Sequence, residues 1–330
     1  MNIAVLFGGN NSERDVSIAS GAQVVRALRL HDHDVTAIDT ATGILSAADE
    51  TEQFQQTVQV NPPTLEELAK LHTEDTLRDL VETLRPFDVV FLALHGAPAE
   101  DGQIQALLEE AGIRHTGSGS ASSANAWFKD VAKELFVKNN IATPRWISAS
   151  ADVDFIQELG LPLIVKPTEQ GSTVGISLVK DAEQLRTALE TASTFGHVQV
   201  EEFIKGREIT VGVLGDKALG VGEIAIDPTT IFSYESKYQK NAVQEIFPAD
   251  LPADIYADAQ ALALAAHQAL GLSGYSRSDF RLDENGKFWI IETNSLPGMT
   301  ATSLLPQSAA VEGIGFEELC ERICQEAIAA

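Results

Sequence analysis

The sequence predicts an α/β chain of two or three domains that opens with a doubly wound parallel sheet. The chain has 330 residues, too long for one ordinary core. Hydrophobic residues make up 44%, enough for packed interiors rather than disorder. The opening supplies the topology: an apolar run at 3–7, a turn at Gly8-Gly9-Asn10-Asn11, a stretch with Val16, Ala19, Ala22, Val25 and Leu28 on one face, and a second apolar run at 35–38. A short continuous apolar run reads as a strand buried on both sides, and a 3.6-residue period as a helix packed over it. In such sheets ligands gather beyond the C-terminal ends of the strands.

Taken in order, Ser12 stands where the N-cap of the first helix is expected, with Asp15 three residues on. Glu13, at the helix start and beyond a strand end, is placed either to receive an ammonium group or simply to compensate the helix dipole. Gly8-Gly9 is no GxGxxG fingerprint and says little about nucleotides. Residues 39–64 are polar, include Pro62-Pro63, and read as a peripheral excursion; residues 65–84 are helical in pattern. Residues 88–94 form the next buried strand and deliver His95-Gly96 at its end, where His95 serves either a ligand or the structure. A helix starts near Glu100-Asp101-Gly102-Gln103, and Thr116-Gly117-Ser118-Gly119-Ser120 is a flexible break suited to a domain boundary. Residues 121–139 are helical and carry Lys129 and Lys133.

Residues 161–167 form a strand ending at Lys166-Pro167, which runs into Thr168-Glu169-Gln170-Gly171-Ser172-Thr173-Val174-Gly175. Small side chains there let backbone N–H groups close on phosphate oxygens, and Lys166 adds a cation. No GK[ST] opens a helix, so this is not a Walker loop. Strands follow at 198–200 and 209–214, with Glu201-Glu202-Phe203-Ile204 and Glu208 between them. The polar and aromatic stretch Tyr234-Glu235-Ser236-Lys237-Tyr238 has no period and reads as a functional loop. Helices are expected at 254–270 and 316–329.

A formal net charge of −25 argues against nucleic acid and anionic membranes as partners. Any anionic ligand must then be held by a few local cations and backbone N–H groups. Cys320 and Cys324, one turn apart, make no metal pattern and read as helix packing in a reducing compartment. The start lacks the basic region and apolar core of a signal peptide, and no apolar run approaches membrane-spanning length. A soluble, cytoplasmic protein is the expectation.

The richest chemistry lies at 275–299. Two strand-like runs, 278–282 and 288–292, flank Asp283-Glu284-Asn285-Gly286, which is turn chemistry. With Asn285-Gly286 as the two central residues of a tight hairpin, counting places Glu284 opposite Lys287, Asp279 opposite Glu292, and Arg277 opposite Asn294. Alternation puts Arg277, Asp279, Glu292 and Asn294 on one face, and opposed Cβ atoms lie about 4.5–5.5 Å apart; a longer turn would shift the pairing by two residues but keep the same face. Such oxygens suit a hard divalent cation, Mg²⁺ above all; the plain alternative is an exposed polar face beside a surface turn.

With these motifs assembled, the chain resembles the D-alanine–D-alanine ligases of the ATP-grasp superfamily over nearly its whole length. The motifs that carry the resemblance stand in the family's order. They are Gly8-Gly9 with Ser12-Glu13-Arg14-Asp15-Val16-Ser17, Leu94-His95-Gly96 with Glu100-Asp101-Gly102, Lys166-Pro167 with Gly171-Ser172-Thr173-Val174-Gly175, Tyr234-Glu235-Ser236-Lys237-Tyr238, and Arg277-Ser278-Asp279 with Glu292-Thr293-Asn294-Ser295-Leu296-Pro297-Gly298-Met299-Thr300.

The resemblance implies an N-terminal doubly wound parallel sheet (1–97), a central α+β lid domain (98–203) and a C-terminal α+β domain with an antiparallel sheet (204–330). It implies that ATP lies between the last two, with Lys129 and Lys166 on its phosphates. Glu201, Glu202, Phe203 and Ile204 match the segment at the adenine, Glu208 the ribose residue, and Lys237 a lysine near the transferred phosphate. Asp279, Glu292 and Asn294 match ligands of two Mg²⁺ ions, with Mn²⁺ as a substitute. Glu13 matches the receiver of the first substrate's ammonium, with His95 beside it, and Glu13, Ser172 and Tyr238 match a hydrogen-bonded triad that closes the site. Ser303 and Leu304 match the receivers of the second substrate's carboxylate. Arg277 and the Gly298 backbone match the oxyanion donors, Arg277 acting there rather than as a partner for the acids.

The implied reaction joins two D-alanines through an acyl phosphate for peptidoglycan synthesis, in a cytoplasmic homodimer. The alternatives are a relative making another D-Ala-X dipeptide or depsipeptide, and a silent ATP-binding regulatory paralogue. Tyr238 favours D-alanine as second substrate, because the lactate-forming relatives depart from this Lys-Tyr pattern. The silent paralogue would have lost one of Lys166, Arg277, Asp279, Glu292 or Asn294, and all are present. Ala99, Phe128 and Ser276 stand where the family usually has Gly, Asp and Gly. The Phe128 change bears on the wall of the nucleotide site and Ala99 on the loop near the first substrate.

Overall fold

The computed structural model describes residues 1–55, 58–59, 63–71, 76–151, 153–171, 174–231 and 243–329. The first sheet has the order β3-β2-β1-β4. Strand β1 (Asn2–Phe7) pairs in parallel with β2 (Asp34–Asp39) on one side and with β4 (Val89–Leu92) on the other, and β3 (Gly43–Ile44) adds an antiparallel edge. The chain leaves β1 in one direction and returns on its other side. The crevice beyond the ends of β1 and β4 therefore receives both the Gly8–Glu13 turn and His95.

Helix α1 (Arg14–Leu30) begins one residue later than Ser12 capping would require. Glu13 occupies the cap position without a side-chain cap bond. Asn11 organises the entry instead: its Oδ1 accepts from the Glu13 N–H at 2.9 Å, and its Nδ2 donates to the carbonyls of His95 at 2.8 Å and Ala97 at 2.9 Å. Gly8 has φ 77°, and a Cβ there would lie 2.3 Å from Asp39 Oδ1, so the turn admits no side chain. The polar excursion after β2 holds β3 and α2 (Ala47–Gln53). The long helix expected at 65–84 is found as α3 (Leu65–Leu68) and α4 (Thr76–Leu84).

Helix α5 (Gln103–Glu110) leads into a bridge between His115 and Val90, and Thr116 Oγ1 accepts from the Leu92 N–H at 3.0 Å. Residues 114–116 thus extend the first sheet. The single helix expected at 121–139 is two, α6 (Ser120–Trp127) and α7 (Lys129–Lys138). They are separated at Phe128, whose φ −76° and ψ 100° lie outside the helical region.

The second sheet, β5-β8-β6-β7, is antiparallel throughout: β5 (Trp146–Ser148), β6 (Leu163–Pro167), β7 (Ser177–Val179) and β8 (Val198–Glu202). With α8 (Phe155–Leu159) and α9 (Ala182–Ser193) it encloses its own core around Leu163, Val165, Ala188 and Val200. The third sheet runs β11-β10-β9-β12-β13, also antiparallel: β9 (Arg207–Leu214), β10 (Lys217–Ala225), β11 (Gln244–Ile246), β12 (Tyr275–Leu282) and β13 (Phe288–Asn294). Helix α10 (Ala253–Ala269) lies against it. The chain closes with α11 (Leu304–Val311) and α12 (Phe316–Ala329), which join Tyr275, Leu296 and Met299 in the core of the first sheet. Cys320 and Cys324 are buried there as free thiols, matching the packing role read from the sequence.

The hairpin of β12 and β13 reaches the expected pairing by an unexpected route. Arg277 opposes Asn294 and Asp279 opposes Glu292, but nearer the turn Phe280 opposes Ile290 and Leu282 opposes Phe288. Glu284 does not face Lys287. Instead Asp283 N–H donates to the Lys287 carbonyl at 3.0 Å, and Asp283 Oδ1 accepts from the N–H groups of Asn285 and Lys287. The turn is one residue longer than a two-residue loop. A bulge at Ile291 cancels the slip before the functional residues are reached.

Candidate active site

One cavity of about 540 Å³ lies where the three sheets meet. Glu13 and His95 line it from the first sheet, Lys166 and residues 201–204 from the second, and Glu208, Arg277, Asp279, Glu292 and Asn294 from the third. Lys129 of α7, Gly298, Ser303 and Leu304 complete it. Every site residue expected from the sequence that falls among the described residues is thus at one place. Ser172, Lys237 and Tyr238 lie outside the described residues.

The lysine side is built by β6, β8 and the start of α7. Lys166 leaves the end of β6 with 2% exposure, and its Nζ is 2.7 Å from Glu201 Oε1 on β8. Lys129 is the first residue of α7, set there by the break at Phe128. Its backbone N–H donates to the Thr168 carbonyl at 3.2 Å and its Nζ to the Gln170 carbonyl at 2.7 Å. Burial pushes the Lys129 ammonium below its ordinary range, while Glu292, 3.8 Å away, opposes that shift. Pro144, Ile164, Ile176, Phe203 and Ile204 give this wall an apolar slot, faced by Ile224, Ile231 and Ile291. An apolar lining beside buried cations suits a flat base joined to an anionic chain.

The hairpin forms the opposite wall. Arg277 holds Asp279 with two bonds, Nε to Oδ1 at 2.9 Å and Nη2 to Oδ2 at 2.8 Å. The expectation that Arg277 is no partner for the acids is therefore corrected. The two sit two apart on one strand, so their side chains share a face and the planar guanidinium meets the carboxylate bidentately. Burial works against the Arg277 charge, but Asp279 and then Glu292 hold its pKa above the ordinary value. Asp279 also accepts from Thr210 Oγ1 at 2.7 Å and from Asn294 Nδ2 at 3.3 Å.

At the N-terminal end, a Cβ on Gly171 would lie 3.0 Å from Glu13 Oε2, so the loop after β6 reaches across to the start of α1. His95 is held by Ser20, whose Oγ is 3.1 Å from Nε2 and also accepts from the Met299 N–H at 3.3 Å. At the far end, Ser303 caps α11, and its Oγ accepts from the Thr300 N–H at 3.1 Å. A helix N-terminus opening on a cavity favours an anionic group.

Four residues here were not singled out as site residues. Glu100 lines the cavity and its Oε1 accepts from the Gly96 N–H at 3.0 Å. Arg281 lines it too, 3.4 Å from Glu208 and over the Phe203 ring at 5.4 Å. Strand alternation from Arg277 and Asp279 reaches Arg281, so that signal was available. Ser20 and Lys133 act from behind the surface, and only their spacing from Glu13 and Lys129 hints at them. The three departures are accommodated. Ala99 is buried with no positive φ. Phe128 makes the break before Lys129. Ser276 points away from Arg277, and its Oγ is 2.7 Å from His267 Nδ1.

Residues 2–118 match a family model described as D-ala D-ala ligase N-terminus, and residues 137–325 one described as D-ala D-ala ligase C-terminus. The chain belongs to the D-alanine–D-alanine ligase family. Within that family it is 42% identical over 328 residues to the D-alanine–D-alanine ligase of Geobacter sulfurreducens, covering 97% of this chain and 92% of the relative. It is 35% identical over 342 residues to that of Pediococcus pentosaceus, covering 98% and 96%. A crystal structure of the Bacillus anthracis D-alanine–D-alanine ligase complexed with ATP superposes with a TM-score of 0.78 at 30% identity, covering 100% of this chain and 98% of that one. The three sheets are those of a D-alanine–D-alanine ligase of the ATP-grasp type, as expected from the sequence. Among the described residues, no helix is long and apolar enough to cross a membrane.

Proposed function

We propose a residue-level course for the reaction of this family, the ATP-dependent joining of two D-alanines to D-alanyl-D-alanine for peptidoglycan synthesis. The carrying observation is the single cavity: a base slot, buried cations, a carboxylate pair and a helix N-terminus open into one space. ATP lies with its adenine against residues 201–204, its ribose at Glu208, and its phosphates between Lys129 and Lys166.

Two carboxylates opposed on a hairpin, with an amide beside them, form a donor set of hard oxygens once the Asn294 amide turns its Oδ1 inward, and this fits Mg²⁺. Among the described residues no three His, Cys, Asp or Glu side chains gather into a metal cluster, so the set depends on Asn294. Asp279, Glu292 and Asn294 would hold the ion or ions, which when bound supply positive charge to phosphate oxygens.

Glu13 and His95 orient the first D-alanine so that its carboxylate attacks the γ-phosphorus, the bond from the γ-phosphorus to the bridging oxygen breaks, ADP is the leaving group, and an acyl phosphate forms. Ser303 and Leu304 hold the carboxylate of the second; its amine, as the free base, attacks the acyl carbon, and the tetrahedral intermediate collapses with cleavage of the C–O bond to phosphate, which leaves as the nitrogen gives up a proton. Arg277 and the Gly298 N–H receive the oxyanion, for which Arg277 must loosen one of its two bonds to Asp279. Ser172, Tyr238 and Glu13 close the site against water, and Lys237 stands near the transferred phosphate. ADP release measured with D-alanine and with a panel of D- and L-amino acids tests this. ADP formed with D-alanine alone supports it. Product from another second substrate but not from D-alanine would replace it with the D-Ala-X reading, and binding of ATP without turnover would replace it with the silent one.

Three units remain part of this reading. The Val90–His115 bridge favours drawing the first boundary at the 116–120 break rather than after residue 97. A cytoplasmic homodimer also belongs to it, and sedimentation equilibrium at micromolar concentration tests the dimer.

A further inference from the structure

Lys133 does not line the cavity, yet it is one of the largest fully buried side chains, with 1% exposure. It projects from α7 one turn after Lys129. Its Nζ lies 2.9 Å from Glu201 Oε2, 2.8 Å from Thr143 Oγ1 and 3.0 Å from the Pro144 carbonyl. An ammonium has three donors, and all three are engaged, so Lys133 has none left for a ligand. The Trp146 ring, 5.2 Å away, covers it further. Glu201, 3% exposed, is thus gripped from both sides: Lys133 on Oε2 and Lys166 on Oε1.

The cluster sets two lysines against one carboxylate and keeps one positive charge over. Without Lys133, Glu201 and Lys166 would form a closed neutral pair, and moving Lys166 onto a phosphate would strand a buried carboxylate. With Lys133 in place, Glu201 stays compensated whether Lys166 faces it or faces an anion. We infer that Lys133 is a positioning residue for nucleotide binding: it holds the Glu201 charge so that Lys166 is available to the phosphates. This rests on the proposed placing of the ATP phosphates at Lys129 and Lys166.

The test measures ATP and adenosine affinities by calorimetry on the full chain, without added metal, and takes their ratio as the phosphate share of binding. Lys133→Met should lower that ratio by about tenfold. Adding Glu201→Gln to it removes the carboxylate that would capture Lys166 and should bring the ratio back to within about threefold of the unsubstituted protein. Packing alone would lower the melting temperature without this fall and recovery. An unchanged ratio in Lys133→Met overturns the inference, as does a fall that the second substitution does not repair. Should Lys133→Met not fold, Glu201→Gln alone decides: with Lys133 already holding that carboxylate, its removal should leave the ratio within about threefold of the unsubstituted protein, and a rise of about tenfold or more would mean that Glu201 still captures Lys166 and overturns the inference. Lys166→Met is the control on the underlying reading. If it keeps the full ratio, the phosphates are not at Lys166, and that placing fails rather than the role of Lys133.

Discussion

Two buried ion clusters in this molecule obey opposite rules. Arg14 and Asp39 pair one to one, Nη1 to Oδ1 at 3.0 Å, and the leftover oxygen sites on Asp39 are filled by the N–H groups of Gly9 and Ala41 and by Gln53 Nε2. Burial raises the Asp39 pKa, but Arg14 and these donors outweigh it and hold the carboxyl below its ordinary range. Nothing is left for a ligand, and Arg14 and Asp39 do not line the cavity. Lys133, Glu201 and Lys166 are more deeply buried than Arg14 but leave a charge over, and two of the three face the cavity. A buried ion pair that balances fixes a loop. One that does not balance leaves a charge over, which in the proposed reading the ligand meets.

The hairpin wall gives the largest contrast, because in the proposed reaction its carboxylates hold the metal at the phosphates. Glu292→Gln should cut ADP release by about a thousandfold or more, near the loss expected for a group that stabilises transition-state charge. Near-normal turnover in that variant would remove the hairpin from the unbalanced class. Arg14→Met should instead act on stability, costing about 3–5 kcal/mol in urea denaturation because it strands Asp39. Equal stability with lost nucleotide affinity would reverse the assignment.

A third buried group carries no counter-charge. His267, 4% exposed and pushed down to about 4 by burial, is neutral in the folded core. The unfolded chain binds a proton there near pH 6.5, so the unfolded state holds more protons between 6.5 and 4. Stability is therefore full above pH 6.5 and is lost as pH falls through 4, by about 3 kcal/mol. A pH series of urea midpoints should show this slope in the unsubstituted protein and a flatter one in His267→Gln. The smallest effect is expected at the residue next to Arg277. Ser276→Gly should cost about 1–2 kcal/mol of stability by freeing the backbone and leaving His267 without its hydroxyl, with ADP release unchanged. A fall in turnover there would mean that the two faces of β12 are coupled.

Much of this arrangement was legible in the sequence, for a physical reason. Strand alternation and an Asn-Gly turn are local, so Arg277, Asp279, Glu292 and Asn294 could be placed on one face by counting. Strand ends point at crevices, so His95 and Lys166 could be placed from the apolar runs before them. What counting could not supply was the order of helix entry, where Asn11 rather than Ser12 makes the decisive bonds, because both are good capping residues. Nor could it supply Lys133. Its partners Thr143, Pro144 and Glu201 come from two separate stretches, and a lysine on a helix ordinarily faces water. The pairing of Arg277 with Asp279 was missed because function was assigned to each alone.

The turn at Asp283–Lys287 and the bulge at Ile291 have a consequence for anyone altering or comparing such chains. The longer turn shifts the pairing by one residue from that of a two-residue loop, and the bulge restores it. Deleting one turn residue would leave a two-residue loop between the same Asp283–Lys287 pair and keep the Asp279–Glu292 rung with the bulge in place. Deleting a residue at both places would leave that rung intact. The bulge also presents Ile291 and Glu292 to the cavity in succession, which a regular strand cannot do. An apolar contact and a carboxylate thereby stand side by side on one wall.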